Sequence, residues 1–310
     1  MKNILFACFL CVFIITCKKQ PQPFTVGAFQ KIYDPSVNER EDWYINDHTF
    51  IKGRDGKYHL FGITGTEPKD KTDIHLHIDS SKEKFLAHAT SESLLKLPWK
   101  KETFPLKAEK LYGESYIWAP YIIKHQDTYY LYYAVGNLQK SNLSKIYMAT
   151  SKDLYNWKRH SENPVVVDVN ARDPHILQVS GQWILYYTTN SLQHGGYLVV
   201  AYQTSKDLIH WSNRRIAFFD KKNAVGSESP YILKKGKDYY LFVGPRPGKT
   251  GKMYGTEVFK SSSPFHFDPK NKVGRIDAHA LEIIKENDRY YVSHCGWGKG
   301  GVYIAELFWK

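Results

Sequence analysis

One two-part pattern recurs five times along the chain, and it limits the possible folds more than any other feature. Each copy has a polar or acidic residue, often beside a proline, then an apolar stretch, a short polar turn and an aromatic-rich stretch. Such a pattern is typical of two β-strands joined by a tight turn. The copies are NDHTFIKGRDGKYHLFG, WAPYIIKHQDTYYLYYA, RDPHILQVSGQWILYYT, ESPYILKKGKDYYLFVG and DAHALEIIKENDRYYVSHCG.

A second pattern follows the first four copies and predicts two more strands in each unit. It has a third strand, a serine-containing turn and a fourth strand near a tryptophan, as in HATSESLLKLPWKKE, MATSKDLYNWKRH, YQTSKDLIHWSNR and the more degraded FKSSSPFHFDP. Four antiparallel strands repeated about every 50 residues predict an all-β fold, a five-bladed β-propeller with four-stranded blades. A β-sandwich is the rival fold, but it does not account for the matched repeat of both half-patterns.

The two ends of the chain are predicted to close the ring together. The fifth copy is followed by GVYIAELFWK, which supplies a third strand and then stops. We expect the fourth strand of that blade to come from the N-terminal segment FTVGAFQKIYD, so residues 24–310 form one propeller domain.

The N-terminus has the pattern of an export signal. Residues 1–17 combine Lys2, an apolar run too short to span a membrane and a lipobox-like end at Cys17, and residues 18–23 would form a tether. We expect Cys17 to carry lipid, which makes the protein an envelope lipoprotein in the periplasm or on the outer membrane surface. Plain secretion is the alternative. Cys295 is then the one cysteine left in the domain, which rules out an internal disulfide, and we expect a monomer.

Composition and charge narrow the class of ligand. The formal net charge is +12, yet no basic run resembles a nucleic-acid motif, so nucleic acid is excluded as a partner and the membrane is met only through the anchor. A basic surface is either solvated or attracts an anionic glycan. The aromatic share of 15%, with 23 Tyr and 8 Trp, favours ligand sites in which flat rings stack on sugars.

Three acidic residues stand at equivalent points of the repeat. The first strand of each propeller blade lines the central channel, so the five strand beginnings should converge. They are Asn46-Asp47-His48, Trp118-Ala119-Pro120, Arg172-Asp173-Pro174, Glu228-Ser229-Pro230 and Asp277-Ala278-His279. A single Asp before a strand usually forms a turn, but three acids in one funnel are harder to explain that way. Close carboxyls have split pKa values, which glycoside hydrolysis requires.

The ordered set of motifs resembles a known group of enzymes. Trp43-x-x-Asn46-Asp47, Arg172-Asp173-Pro and Glu228-Ser-Pro look like the five-bladed glycoside hydrolases of families 32 and 43, which include fructofuranosidase, arabinofuranosidase, arabinanase and xylosidase types. The chain departs from family 32 at His48, where a proline is usual, and in having no C-terminal β-sandwich. Arg172 and the tryptophan-led opening favour family 32, so the choice between the two families stays open here.

The resemblance implies a role for each acid. Asp47 matches a residue that is the nucleophile in family 32 and the general base in family 43. Asp173 matches the Asp that contacts sugar hydroxyls or tunes the acid, and Glu228 matches the general acid. This mechanism needs a raised pKa at Glu228 and an ionised Asp47.

Further residues around these acids are predicted to bind substrate. They are Trp43, Asn46, His48, Trp118, Arg172, His279 and Trp297. His279 also resembles the channel histidine that helps to hold a central ion in some family 43 enzymes, so a structural calcium ion is considered, although the reaction requires no cofactor. No metal ligand is assigned, because the pair His75 and His77 has no third ligand at a fixed spacing.

The sequence therefore predicts a glycosidase that acts on oligo- or polysaccharides, at a furanoside such as arabinose or fructose. The insertion GTEPKDKTDIHLHIDSSKE in the first repeat and the loop GPRPGKTGKMYG should narrow the channel mouth, which favours exo-action. Two alternatives remain: a surface glycan-binding propeller without catalysis, and the same scaffold acting on an anionic or anhydro algal sugar.

Overall fold

The computed structural model describes residues 22–66, 80–138, 141–223, 226–247, 253–296 and 300–310. In these ranges the chain forms five antiparallel sheets and a few short 3₁₀ turns, with no α-helix. No helix in the same ranges is long and apolar enough to cross a membrane. The predicted signal peptide and lipid site, together with His75, His77 and Trp297, lie outside the described residues.

Each sheet is one blade of a propeller, and chain order follows the predicted repeat. Two short strands come first, β1 (Phe24–Val26) and β2 (Gln30–Tyr33). Blade I is β3 (Trp43–Lys52), β4 (Tyr58–Thr66), β5 (Phe85–Ser91) and β6 (Lys100–Lys101). Blade II is β7 (Tyr116–His125), β8 (Thr128–Asn137), β9 (Ser141–Ser151) and β10 (Trp157–Arg159). Blade III is β11 (Arg172–Val179), β12 (Gln182–Ser191), β13 (Tyr197–Ser205) and β14 (Arg215–Phe218). Blade IV is β15 (Glu228–Lys235), β16 (Asp238–Pro247), β17 (Met253–Ser261) and β18 (Lys272–Ile276).

Blade V joins the two ends of the chain, as the sequence predicted. It contains β19 (Ile283–Glu286), β20 (Arg289–His294) and β21 (Val302–Trp309). Both β1 and β2 pair antiparallel with β21, with Phe24 opposite Trp309 and Gln30 opposite Ile304. The N-terminal segment therefore provides the outer edge of the last blade, and the five-bladed propeller is confirmed.

Packing between blades supplies the core. Five hydrophobic clusters form, and each joins side chains of two neighbouring blades. One of them brings Ile32 and Ile304 of blade V against Ile45 and Leu60 of blade I. The ring is therefore closed by apolar burial as well as by the strand pairs of β21.

A repeated irregularity marks the beginning of the innermost strands. In blades I to IV the pairing between the first two strands skips two residues at one point, namely Asn46-Asp47, Ala119-Pro120, Asp173-Pro174 and Ser229-Pro230. The backbone φ is positive at Ala119, Asp173, Ser229 and Ala280, with values of 44°, 55°, 46° and 47°. Such bulges interrupt pairing and re-aim side chains, here toward the centre of the ring.

The fifth blade corrects one predicted register. Ala280, not Ala278, has the positive φ that matches Ala119 and Ser229 in the other blades. Asp277, which was predicted to open the innermost strand, is exposed and forms an ion pair with Arg275 of β18 at 3.0 Å. The residue triplet predicted for blade V was therefore two positions too early.

Candidate active site

One cavity receives residues from all five blades, so it lies on the propeller axis. Its lining consists of Asp47, His48, Ala119, Pro120, Asp173, Pro174, Ser229, Pro230, Ala280, Leu281 and Glu282. These residues lie at or beside the bulges of the innermost strands. The fold thus brings Asp47 and Asp173 to one place, with Glu228 next to Ser229 in the chain.

Ser229 links the three acidic blades. Its hydroxyl donates a hydrogen bond to Asp47 Oδ1 at 2.6 Å, and its backbone N–H donates to Asp173 Oδ2 at 3.0 Å. The positive φ at Ser229 aims the N–H and the side chain at two different blades. Arg172 completes the connection, because its Nη2 pairs with Glu228 Oε1 while its Nε lies 3.9 Å from Asp173 Oδ2. All three predicted acids therefore belong to one connected cluster.

Burial and repulsion between neighbouring carboxylates raise the pKa values of Asp47 and Glu228. Burial and the neighbouring charge of Asp173 raise the pKa of Asp47 to about 8, although the hydrogen bond from Ser229 opposes the shift. Burial also raises the pKa of Glu228, against the lowering effect of the Arg172 guanidinium. The raised pKa of Glu228 suits a general acid. The raised pKa of Asp47 opposes the ionised state that a general base needs, and the ionised Asp47 stays a prediction from the resemblance.

A fourth carboxyl, at Glu282, was missed in the sequence. It lines the axial cavity, and burial together with the charge of Asp47 raises its pKa well above the usual range for Glu. The signal that could have found it is the register of the fifth repeat, where Glu282 follows Ala280 by two residues. The cluster thus holds four carboxyls and the guanidinium of Arg172.

His48 ties blade I to blade V. Its side chain is only 2% exposed, with Nδ1 at 2.9 Å from the carbonyl oxygen of Asn46 and Nε2 at 2.8 Å from Ser293 Oγ. A carbonyl only accepts hydrogen bonds, so Nδ1 carries the proton and Nε2 accepts from Ser293. Burial lowers the pKa of His48 to about 4, which keeps the ring neutral at physiological pH. His48, which stands where family 32 usually has a proline, therefore links β3 of blade I to β20 of blade V.

Two other predicted substrate contacts, Asn46 and Trp118, lie beside the cluster. Asn46 is one of the two residues skipped in blade I, and its Oδ1 is buried without a hydrogen-bond partner in the described part of the chain. The Trp118 indole donates from Nε1 to Glu83 Oε2 and stacks on Tyr116 with ring centres 4.0 Å apart. The Trp118 side chain is thus held in place next to the cavity.

Two of the remaining predicted contacts, Trp43 and His279, are not part of the cavity lining. The Trp43 ring packs on Phe104, with centroids 6.0 Å apart, and Lys101 Nζ lies 5.8 Å from it, so it faces the outer part of blade I. His279 is buried next to the lining residues but is not itself part of the lining. Trp297 is outside the described residues.

A structural calcium ion at the centre of the propeller was considered from the resemblance alone. Among the described residues, no group of three or more His, Cys, Asp or Glu is arranged to hold a metal ion. Calcium needs six to eight oxygen ligands, and the axial carboxyls are instead engaged with Ser229 and Arg172. The ion stays a prediction from resemblance, and none of the chemistry below depends on it.

A propeller with a buried carboxyl cluster on its axis, contributed by blades I, III, IV and V, has the acidic groups that the cleavage of glycosidic bonds requires. Residues 68–276 match the family described as glycosyl hydrolases family 43. The chain belongs to that family, which resolves the choice between families 32 and 43, and it is a glycosidase.

The chain is similar in sequence to a curated relative and in fold to two solved structures. A probable arabinan endo-1,5-alpha-L-arabinosidase C of Aspergillus fumigatus is 37% identical over 298 residues, covering 88% of this chain and 81% of its own length. An exo-1,5-alpha-L-arabinanase from a bovine ruminal metagenomic library has a similar fold, with TM-score 0.61 and 20% identity over 85% of this chain and 92% of that one. A Bombyx mori GH32 beta-fructofuranosidase matches with TM-score 0.62 and 17% identity, over 93% of this chain but only 62% of that one.

Proposed function

We propose that the protein hydrolyses arabinofuranosidic linkages in arabinan-type oligo- or polysaccharides. The observation that carries the proposal is the cluster in which Ser229 and Arg172 join the carboxyls of Asp47, Asp173 and Glu228. The 37% identity to a protein named as a probable arabinan endo-1,5-alpha-L-arabinosidase supports arabinan over fructan as the substrate.

Each acid has one part in the proposed reaction. Glu228 donates its proton to the glycosidic oxygen as the bond from that oxygen to the anomeric carbon breaks. Asp47 accepts a proton from the water whose oxygen forms the new bond to the anomeric carbon. Asp173 accepts from the backbone N–H of Ser229 and so holds the strand that carries Glu228. The reactive form has a proton on Glu228 and none on Asp47.

The base role of Asp47 predicts inversion at the anomeric carbon, because water attacks from the face opposite the leaving group. A nucleophilic Asp47 would instead give retention through a covalent glycosyl-enzyme. Proton NMR of the first sugar released, before it mutarotates, distinguishes the two outcomes.

The site assignment is tested by Glu228→Gln and Asp47→Asn on debranched arabinan, with fructan and xylan as comparison substrates. Each variant should lose at least ~10²-fold in kcat on arabinan, since each removes an acid–base group. Asp127→Asn, at an acid 85% exposed at its side chain and outside the cavity, should leave kcat unchanged. Full activity in both cavity variants would contradict the assignment, and cleavage of fructan alone would contradict arabinan as substrate.

Two further properties are proposed from sequence patterns. Exo-action rests on the inserted segment and the loop after β16, and chromatography of early products would reveal it as single-sugar release.

Export with a lipid anchor rests on the pattern at Cys17, and Cys17→Ser should move the protein from the membrane to the soluble fraction of cells.

A further inference from the structure

A second cleft opens between blades I and II, and we call it the lysine groove. It encloses about 350 Å³, within the range of small-ligand sites. Its lining consists of Ser81, Lys84, Lys107, Ala108, Lys110, Gly113, Glu114, Ser115, Asn137 and Leu138. None of these residues lines the axial cavity.

The lysine groove has a net positive charge. Lys84, Lys107 and Lys110 are exposed, and none forms an ion pair with another described residue. The acidic residue in the lining, Glu114, has a fully buried side chain and is neutralised by Arg159, with contacts of 2.9 Å from Nε and 2.7 Å from Nη2.

Two further groups donate hydrogen bonds to the Glu114 carboxylate. Its carboxylate also accepts from Tyr133 OH at 3.1 Å and from the backbone N–H of Glu109 at 3.0 Å. The Glu109 carboxylate in turn lies 3.4 Å from Arg159 Nη1. Among the described residues, the groove lining therefore carries three lysines and one carboxylate, and that carboxylate is paired with Arg159.

The lysine groove is connected to the carboxyl cluster through the beginning of β7. Ser115 directly precedes β7, and Ala119 of the axial cavity follows it by four residues, or roughly 13 Å along an extended strand. Tyr116 and Trp118, whose rings stack on each other, come between Ser115 and Ala119 in the chain. A glycan chain bound at the cluster can therefore reach the groove a few sugar units away.

We propose that the lysine groove binds an anionic sugar unit, bearing a carboxylate or a sulfate, in the same glycan whose neutral furanoside is cleaved at the axis. This inference rests on the proposed function for the cleaved bond only. Lysines attract such groups as point charges at an exposed site, so each adds little alone and the set acts together. The substrate is then a neutral furanoside chain carried by an acidic glycan.

The test measures binding without turnover, using Glu228→Gln as the parent protein and calorimetry as the readout. The probes are a galacturonic-acid tetramer, a sulfated galactan tetramer and neutral arabinotetraose. Adding Lys84→Gln, Lys107→Gln and Lys110→Gln should weaken binding of an anionic tetramer about tenfold and leave arabinotetraose unaffected. The anionic tetramer should also bind more weakly as salt increases.

A second triple variant removes the same charge elsewhere: Lys158→Gln, Lys206→Gln and Lys237→Gln, all outside the groove. It should bind the anionic tetramers as the parent does. Equal weakening in both triple variants, or no binding of either anionic tetramer, would overturn the proposal. Arabinan hydrolysis is assayed separately on the wild type. A negative result for anion binding in the lysine groove therefore does not contradict arabinan hydrolysis at the axial site, and the reverse also holds.

Discussion

Ser229 is the residue on which the site depends most directly, because its two donors reach two different blades. The hydroxyl contacts Asp47 and the backbone N–H contacts Asp173. A hydrogen bond donated to a carboxylate favours the ionised form, so Ser229 partly offsets the burial that raises the pKa of Asp47. Ser229 therefore keeps the pKa of Asp47, the predicted base, lower than burial alone would make it.

The pH dependence of activity follows from these shifts. Turnover needs Asp47 ionised and Glu228 protonated, so kcat/KM should peak between the raised pKa of Glu228 and the pKa of about 8 of Asp47. Ser229→Ala removes the donor, raises the pKa of Asp47 further and should move the limb near pH 8 to higher pH. A profile of kcat/KM against pH on a neutral furanoside measures both the position of the maximum in wild type and the shift of the limb in Ser229→Ala.

Ser227→Ala is the matched control for that prediction. Ser227 is fully buried two residues earlier, and its Oγ has no hydrogen-bond partner in the described part of the chain. The substitution should leave both limbs of the pH profile in place. If Ser229→Ala also left them in place, Ser229 would have no influence on Asp47.

Asp47→Asn should stabilise the fold at neutral pH. The native Asp47 keeps its proton up to about pH 8, whereas the unfolded residue loses it near pH 3.8. Unfolding therefore releases a proton between these values, and the free energy of unfolding falls as pH rises through them. Asparagine has no proton to lose, so at pH 7 the variant should melt a few degrees above wild type.

The control for that prediction is pH itself. At pH 3 and below, both folded and unfolded Asp47 are largely protonated, so the Tm difference between wild type and Asp47→Asn should vanish. Calorimetry at pH 3 and pH 7 makes the comparison. An equal difference at both pH values would show that the gain comes from packing instead of proton release.

At the scale of a strand, β7 and β8 hold the aromatic pair beside the cavity. A Cβ added at Gly136 of β8 would lie 1.8 Å from Cζ of Tyr116, whose ring stacks on Trp118. Gly136→Ala should therefore displace the Tyr116 ring at a cost of ~1–3 kcal/mol in the free energy of unfolding. Denaturant unfolding measures that loss.

Gly27→Ala provides the comparison. A Cβ there would find its nearest neighbour at 3.5 Å, an ordinary contact. That variant should change the free energy of unfolding by less than ~0.5 kcal/mol. A similar loss in both variants would mean that the contact with Tyr116 is not the cause.

The register of the innermost strands shows how far sequence reasoning reaches at this scale. In blades II to IV a proline follows the bulged residue and marks the register, as Pro174 follows Asp173. The fifth repeat has no proline, and it offers Ala278 and Ala280 two residues apart. Because strand side chains repeat every two residues, both registers look alike in the sequence. Only the backbone at Ala280 distinguishes them, and Glu282 was missed for that reason.

At the scale of the whole molecule, the ring depends on the pairing of β1 and β2 with β21. Phe24 of β1 is fully buried against Trp309 and Phe242, with ring centroids 5.3 and 6.2 Å away. Phe24→Ala should therefore cost ~3–5 kcal/mol, since it leaves a cavity where the chain ends meet. Calorimetric unfolding measures the cost.

The matched control is Phe308→Ala on the partner strand. Phe308 is 49% exposed, so its truncation removes little buried surface and should cost under ~1 kcal/mol. Equal losses in the two variants would contradict the importance of Phe24 for ring closure.

The sequence by itself determined the number of blades, the closing segment and the three acids Asp47, Asp173 and Glu228. Those features follow from local patterns, since hairpin turns and alternating apolar residues act over a few positions. Only the tertiary structure decided the raised pKa of Asp47, the link through His48, the place of Glu282 in the cavity and the lysine groove. Each of these depends on burial and on distances between blades, and residues far apart in the chain set both.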